Sequence, residues 1–464
     1  MKSTENLNLP ENTLPKRHIR GVIATVTLLT VAIGFFNSAS FPLVVEQVNK
    51  ITEMSKFILE GEVYTADPQI VYHREQVLND YQDRISDEFS IPEQLRDRVG
   101  FWFDIYTRYT SNEKVIHHTQ FPWLIFKVVD VTDIVNGDMP RHRWLRNVKA
   151  QKHVDAEVQN IRQALKELAA GVAVNPQNEH HVLVEQTLQG LPGQLRSKAK
   201  NALKNVRIQT GQKNFFHEGL EVSPLYMSGM EEIFEKHGLP TELTRIPFVE
   251  SSFNKHATSK VGATGVWQFM SYTGKNFMIV NDYIDERRSP LKATEGAARL
   301  LKENHMILKR QWPLAITAWN HGPTGVRKAM KAAKSNDISK IVGSYQSKTF
   351  DFASSNFYSE FLAALYAEKY HEQIFKDLNY ERTLDLHTVK LARSIHTKEV
   401  YRKSGLSKED FSFFNPDIKK ALEKNIKLPR GFTLVVTTSA RDELKPLLQK
   451  EAPSQRKIKL SQNL

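Results

Sequence analysis

The sequence predicts a mainly α-helical chain with a small α/β segment near its C-terminus. Three observations carry this: apolar residues recur at three- and four-residue spacing, helical stretches alternate with glycine-containing loops between Phe215 and Lys369, and β-branched runs appear beyond Tyr370. At 464 residues the chain can build several domains and a sizeable core.

The first element is a leader. Lys16, Arg17 and Arg20 precede an uncharged apolar run, Gly21 to Phe36, and small residues follow from Asn37 to Ser40. A secretory signal has that order, and extension through Leu43 gives the ~20 residues of a spanning helix. Residues 1–43 are therefore read as a signal peptide or membrane anchor, and the chain as exported.

Residues 44–214 read as a helical N-terminal region of unassigned role. Val154, Val158, Ile161, Leu165 and Leu168 mark one face of a helix over Val148 to Ala170, while Tyr72 to Arg84 and Ile91 to Tyr109 are less regular. "FPWLIFKVVDVTDIV" (Phe121 to Val135) is a strand or a buried connection, and Trp102, Trp123 and Trp144 read as packing residues. A helix over Glu179 to Gly190 leads into the basic segment Gln194 to Val206, a solvated face or a contact for an acidic polymer.

Residues 215–372 read as a compact α-domain. Pro240 opens a helical turn, and Pro247 is expected to end or kink it, leaving Glu250 just past a break and aimed into a cleft. Thr294 to Arg310 is a helix capped by Thr294, with further helices over Pro313 to Trp319 and Ser355 to Tyr370. A strand, two small helices and a returning strand at Phe432 to Val436 fill residues 380–440, and 441–464 form a polar tail.

Composition narrows the chemistry. The net charge of +12 suits an acidic partner, and without a zinc-finger, RRM or KH signature nucleic acid is set aside. The absence of cysteine removes disulfides and thiol catalysis. No Ser-His-Asp order, histidine metal spacing, P-loop or dinucleotide fingerprint is present, which leaves acid and base work. Glu250 is the one acidic residue in "FVESSFNKHATSKVGATGVWQFM". Phe248, Val249, Phe253, Trp267 and Phe269 provide the apolar surroundings that raise a carboxyl pKa, Gly262 and Gly265 admit a close substrate, and Gln268 can read an amide. Such a site suits an uncharged, amide-bearing polymer such as an N-acetylated saccharide. The plain alternative is a helix-end cap or surface charge.

Taken together, "LPTELTRIPFVESSFNKHATSKVGATGVWQFM", "DERRSP", "WPLAITAWNHGPTGV" and "SSNFYSEFLAALYAEKY" resemble the catalytic domain of the family 1 lytic transglycosylases, most of all their membrane-bound D branch. The resemblance covers Phe215 to Tyr370, a third of the chain, and implies a lysozyme-like α-helical fold and an envelope or periplasmic location. It makes Glu250 the single catalytic acid and base. It places Ser259 near the substrate acetamido group, Gly265 and Gln268 in the groove-lining turn, Asn320 in the A-Y-N motif, and Tyr358 as the late tyrosine near the glutamate. Two positions depart from the family: Trp319 replaces the tyrosine of A-Y-N as a substrate-binding residue that can only donate, and Lys255 replaces a proline.

The implied partner is the peptidoglycan glycan strand, with the membrane if the leader is retained, and no metal or cofactor. The implied reaction cleaves the β-1,4 bond between N-acetylmuramic acid and N-acetylglucosamine and closes a 1,6-anhydro ring. Most glycosidases use two carboxylates, yet none besides Glu250 lies between Val249 and Met270. Asp285 and Glu286 are the nearest rivals, read as partners of Arg287 or Arg288 that fix their loop. The competing readings are a goose-type hydrolytic muramidase and an inactive wall-binding protein. Leu384 to Thr437, with Phe414-Asn415-Pro416 and Pro429-Arg430-Gly431, resembles a degenerate LysM-like module; a packing appendage is an equal reading.

Overall fold

The structure, a computed structural model, describes residues 73–380 and 386–449. The leader at 1–43 and the end of the polar tail lie outside the described residues. The described region is mainly helical, with three small antiparallel sheets.

The N-terminal part starts with α1 (Arg74–Leu78) and α2 (Arg96–Thr107), followed by β1 (Glu113–His118), β2 (Ile125–Asp130) and α3 (Thr132–Asn136). Next come α4 (Arg143–Ala170), α5 (Glu179–Leu188), α6 (Leu195–Ala202) and β3 (Val206–Thr210). The predicted face of α4, Val154 through Leu168, is buried, and the helix stops where Gly171 turns left-handed at φ 96°. That face packs with Ile116, Phe126, Val184 and Ala199 beneath a sheet ordered β2-β1-β3. The basic segment divides into α6 and β3, and β1 was not read from the sequence at all. Trp102 is buried, whereas Trp144 is 62% exposed and is no packing residue.

The central core is built from two stretches of the chain, Val77 to Val115 and Phe216 to Phe375. It gathers α1 and α2 together with α7 (Lys213–Val222), α8 (Pro224–Lys236), α9 (Ile246–Ser251), α10 (Pro290–Ile307), α11 (Trp312–His321), α12 (Pro323–Ala333), α13 (Ile338–Ser344) and α14 (Phe352–Lys369). At its centre α14 is apolar nearly all round, as a helix enclosed by others must be. Against it lies α2, whose Arg98 and Trp102 donate to Asn356 Oδ1 at 2.9 and 3.0 Å. Arg245, only 4% exposed, clamps α14 through Glu368 at 2.9 and 3.0 Å and α8 through Glu231. Burial pushes Glu368 upward, but the Arg245 charge and hydrogen bonds outweigh it and hold the carboxyl below its usual range. Helix α10 starts at Pro290 rather than at Thr294: proline needs no N–H partner in a first turn. Thr294 is interior and bonds Pro290 O at 2.8 Å.

The C-terminal segment contains β4 (Leu386–Lys390), β5 (Ile395–His396), α15 (Thr397–Lys403), α16 (Lys408–Phe414), α17 (Lys419–Lys424), β6 (Lys427–Leu428), β7 (Thr433–Thr437) and α18 (Thr438–Leu444). Strand β4 pairs with β7 and β5 with β6, both antiparallel. Asn415 ties α16 to β7 by exchanging two 2.8 Å bonds with the Val435 backbone. The segment is docked on the central body: Lys292 Nζ lies 2.6 Å from Asp417 Oδ2, Asp285 N donates to Asp417 O at 2.9 Å, and Ile284 joins the segment's own core. Lys255 lies 3.0 Å over the Phe413 ring, so this departure from the family pattern is a docking contact.

Candidate active site

The chain into Glu250 tightens before it turns. Thr241–Arg245 is a 3-10 turn, and α9 follows with Pro247 in its first turn. Pro247 therefore begins a helix instead of ending one, and Glu250 occupies its last turn. Ser252 (φ 48°) and Phe253 (φ 59°) then stop α9 in two successive left-handed residues. Each costs roughly 1–3 kcal/mol for a side chain of this size, and packing repays it, since the Phe253 ring sits 4.6 Å from Phe248 with 1% exposure. Gly219 permits the turn, because a Cβ there would lie 2.8 Å from the Ser252 carbonyl oxygen.

A second turn faces the first. Gly265 has φ 79°, and a Cβ on it would lie 1.9 Å from the Arg287 carbonyl oxygen, so no other residue fits. Gln268 (φ 48°) folds back to donate its amide to Gly265 O at 2.8 Å and Ala257 O at 3.3 Å. Ser259 Oγ accepts from Ala263 N at 3.0 Å, which braces the turn and leaves its proton to donate. Ser251 Oγ ties α9 to this turn through Val266 O at 2.9 Å. Arg287 holds it from behind, donating to Gly262 O at 2.9 Å and Phe269 O at 3.0 Å, while Asp285 grips the guanidinium with two 2.8 Å bonds. Glu286 accepts from Ile279 N at 2.7 Å and pairs with Lys292 at 3.2 Å. Both rival carboxylates thus fix the loop.

The Glu250 residue is half-buried and its carboxyl is pushed up to about 8, burial being the cause. Phe248, Phe253, Trp267 and Phe269, the apolar residues near it in sequence, are each no more than 2% exposed. The Trp319 indole N–H donates to the carboxyl and pulls its pKa the other way. Trp319 is wedged 5.4 Å from Trp267 and 5.1 Å from Phe269, and Trp267 in turn donates to Thr294 at 2.8 Å. Trp319 thus contacts the acid itself.

The remaining predicted residues are spread around this centre. Asn320 is exposed one residue beyond Trp319, accepting from Ser354 at 3.1 Å. Tyr358 is 3% exposed and stacked on Phe361, and the groups bearing on its phenol are Tyr366 and Glu88. Two positions further on α14, about 200° round the helix, stands Glu360, which the sequence reading did not single out. Burial pushes Glu360 up to about 8, the Glu250 charge adds to this, and Arg207 opposes it. Tyr106 is 1% exposed, its phenol pushed up by burial and then by the charges of Glu360 and Glu250. A sequence signal for Glu360 existed: an acid inside "NFYSEFLAALYA" is a charge on a helix with no polar side. Among the described residues no cluster of three or more His, Asp or Glu is placed to hold a metal ion.

This geometry ties the helix that carries Glu250, a carboxyl raised by burial, to a braced, glycine-opened turn. Residues 231–342 match the family model described as the transglycosylase SLT domain. The chain is 28% identical over 169 residues to membrane-bound lytic murein transglycosylase D of Escherichia coli K12, 35% of this chain and 36% of that one, and to the same enzyme of E. coli O6:H1 at the same level. It is also 33% identical over 101 residues to a protein named for tributyltin chloride resistance in Alteromonas sp. (strain M-1), 22% of this chain and 49% of that one. The chain spans about a third of the length of the E. coli relatives it matches.

Proposed function

We propose that this chain, whose residues 231–342 match the transglycosylase SLT domain, is a lytic transglycosylase that cuts the β-1,4 bond between N-acetylmuramic acid and N-acetylglucosamine in peptidoglycan. The observation that supports it most is Glu250: a carboxyl raised to about 8 is protonated at neutral pH and can act as an acid.

The reaction uses that carboxyl twice. Glu250 gives it to the oxygen leaving C1 of the muramic residue as the glycosidic bond breaks, and the substrate's 2-acetamido group stabilises the cation at C1. Ionised Glu250 then takes the proton of the C6 hydroxyl while O6 bonds to C1, closing the 1,6-anhydro ring and restoring the acid. No water is consumed. The Trp319 N–H supports the ionised interval, since a hydrogen bond to a carboxylate is worth ~1.5–3 kcal/mol. Ser259, Gly265, Gln268 and Asn320 are assigned to the glycan groove, where the free Gln268 oxygen and Ser259 proton can meet acetamido groups. Tyr358, whose phenol is faced by Tyr366 and Glu88, is assigned to the packing of α14 and not to the glycan groove.

The leader read from the sequence directs the protein to the cell envelope. Among the described residues no helix is long and apolar enough to cross a membrane. The experiment is Glu250→Gln, isosteric and proton-free: turbid murein suspensions should no longer clear while the variant still sediments with them. Undiminished clearing would remove Glu250 from the reaction.

A further inference from the structure

We propose that the C-terminal segment is a fixed support of the glycan groove, with Asp417 the positioning residue that holds the groove-lining turn in shape through the loop at 285–287. The inference rests on the assignment of Gly265 and Gln268 to the groove given above.

The turn has little regular structure of its own. Between Ser252 and Met270 the backbone forms no helix or strand, only the isolated bridges Thr258 to Thr264 and Thr264 to Phe269. Gly262 (φ 85°), Gly265 (φ 79°) and Gln268 (φ 48°) are all left-handed. Glycine takes up such a backbone as readily as many others, so a stretch like this needs outside support to keep one shape. Ser259 and Gln268 brace it from within. Arg287 ties its two ends together, donating to Gly262 O at 2.9 Å and Phe269 O at 3.0 Å, and its own carbonyl oxygen lies where a Gly265 Cβ would be.

Arg287 is in turn held from the C-terminal segment. Asp285 grips its guanidinium with two 2.8 Å bonds, and Asp285 N donates to Asp417 O at 2.9 Å. Asp417 lies in the short turn Pro416–Ile418, its carboxylate 2.6 Å from Lys292 Nζ, which also reaches Glu286 at 3.2 Å. Glu286 closes the loop on Ile279 with a backbone bond of 2.9 Å and a side-chain bond of 2.7 Å, and Ile284 is buried in the segment's own core. Asp417 therefore meets the loop twice, by its backbone at Asp285 and by charge through Lys292 to Glu286. A second strut reaches the chain that leaves α9: Lys255 Nζ lies 3.0 Å over the Phe413 ring of α16, and Asn415 fixes α16 to β7. The contacts thus fall on the two stretches that bound the turn, Lys255 before it and Asp285 to Arg287 behind it. The Asp417 side chain is 1% exposed. Such a buried pair adds little net stability compared with apolar residues of the same size, and what it supplies here is a defined geometry.

The test is hydrogen exchange and steady-state kinetics on the full chain and its Asp417→Asn variant, which keeps the shape and the backbone acceptor and loses the charge. The amides of Thr264, Gly265 and Gln268, bonded to Phe269 O, Ala257 O and Gly265 O, should exchange about tenfold faster in the variant, while those of α14 keep their protection. With peptide-free glycan strands as substrate, KM should rise about tenfold and kcat change by about twofold at most, because the groove loosens while Glu250 stays on α9. Lys292→Met removes the other side of the pair and should give the same pattern. Unchanged exchange in the turn would overturn the proposal, as would a loss confined to kcat. If neither variant folds, the wild type decides: under rising denaturant the turn amides and those of residues 386–449 should open in one step, and separate openings would overturn the proposal. Exchange needs no assumption about the product, so a turn that loosens as expected in a chain that yields no anhydro ends would count against the transglycosylase reading alone.

Discussion

Replacing Glu250 by glutamine should make the protein more stable, and increasingly so as pH rises. A carboxyl raised from its ordinary 4.5 to about 8 keeps its proton in the folded state after the unfolded chain has released it. The folded state therefore binds more protons between those values, and stability falls with rising pH across that window. Below about pH 4.5 both states are protonated and the residue costs nothing. Above about 8 the full penalty applies, at most about 5 kcal/mol at about 1.4 kcal/mol per pH unit. Glu250 keeps some exposure, and solvent and the Trp319 N–H relieve the charge, so about 2 kcal/mol is the expected remainder. Glutamine has the same shape, accepts the same indole bond and carries no charge. Thermal melts of wild type and Glu250→Gln should coincide near pH 4.5 and separate by a few degrees by pH 9, the variant melting higher. Parallel melts at every pH would refute the buried-acid account.

Trp319→Phe removes a hydrogen bond to the ionised form of Glu250, so cleavage should slow about tenfold while its alkaline limb moves to higher pH; an unchanged profile would mean the indole only packs. Gly265→Ala meets the Arg287 carbonyl oxygen at 1.9 Å in a left-handed backbone and should cost ~3 kcal/mol or more, read as a lower melting temperature with loss of clearing. Lys292→Met leaves the Asp417 carboxylate, 1% exposed, without its cation. A loss of ~3–5 kcal/mol is expected, with hydrogen exchange accelerating first in residues 386–449.

Much of the site was legible because its determinants are local. The carboxylate, its aromatic wall and the two glycines all fall within Phe248 to Met270, and so did the expectation that Glu250 would be desolvated. Less legible was anything set by packing between distant segments. The burial of Glu360, 110 residues downstream of Glu250, follows from the packing of the helix face it shares with Asn356, which the contact with Arg98 and Trp102 defines. Likewise nothing in residues 73–115 announced that they would enter the central core alongside α14. Pro247 and Thr294 were misread for one reason: proline marks a helix boundary without saying which side of it, and both helices begin just before the residue taken as their end or cap. Lys255 meets the ring and the carbonyl of Phe413, 158 residues away.

The account's central claim is that the carboxylate serves a ring closure within the substrate and no water enters the product. Digesting murein with this protein in water enriched in 18O, followed by mass spectrometry of the muropeptides, tests it directly. The account predicts muramic ends lighter by one water and free of 18O. Hydrated ends carrying the label would contradict it and make the protein a hydrolase.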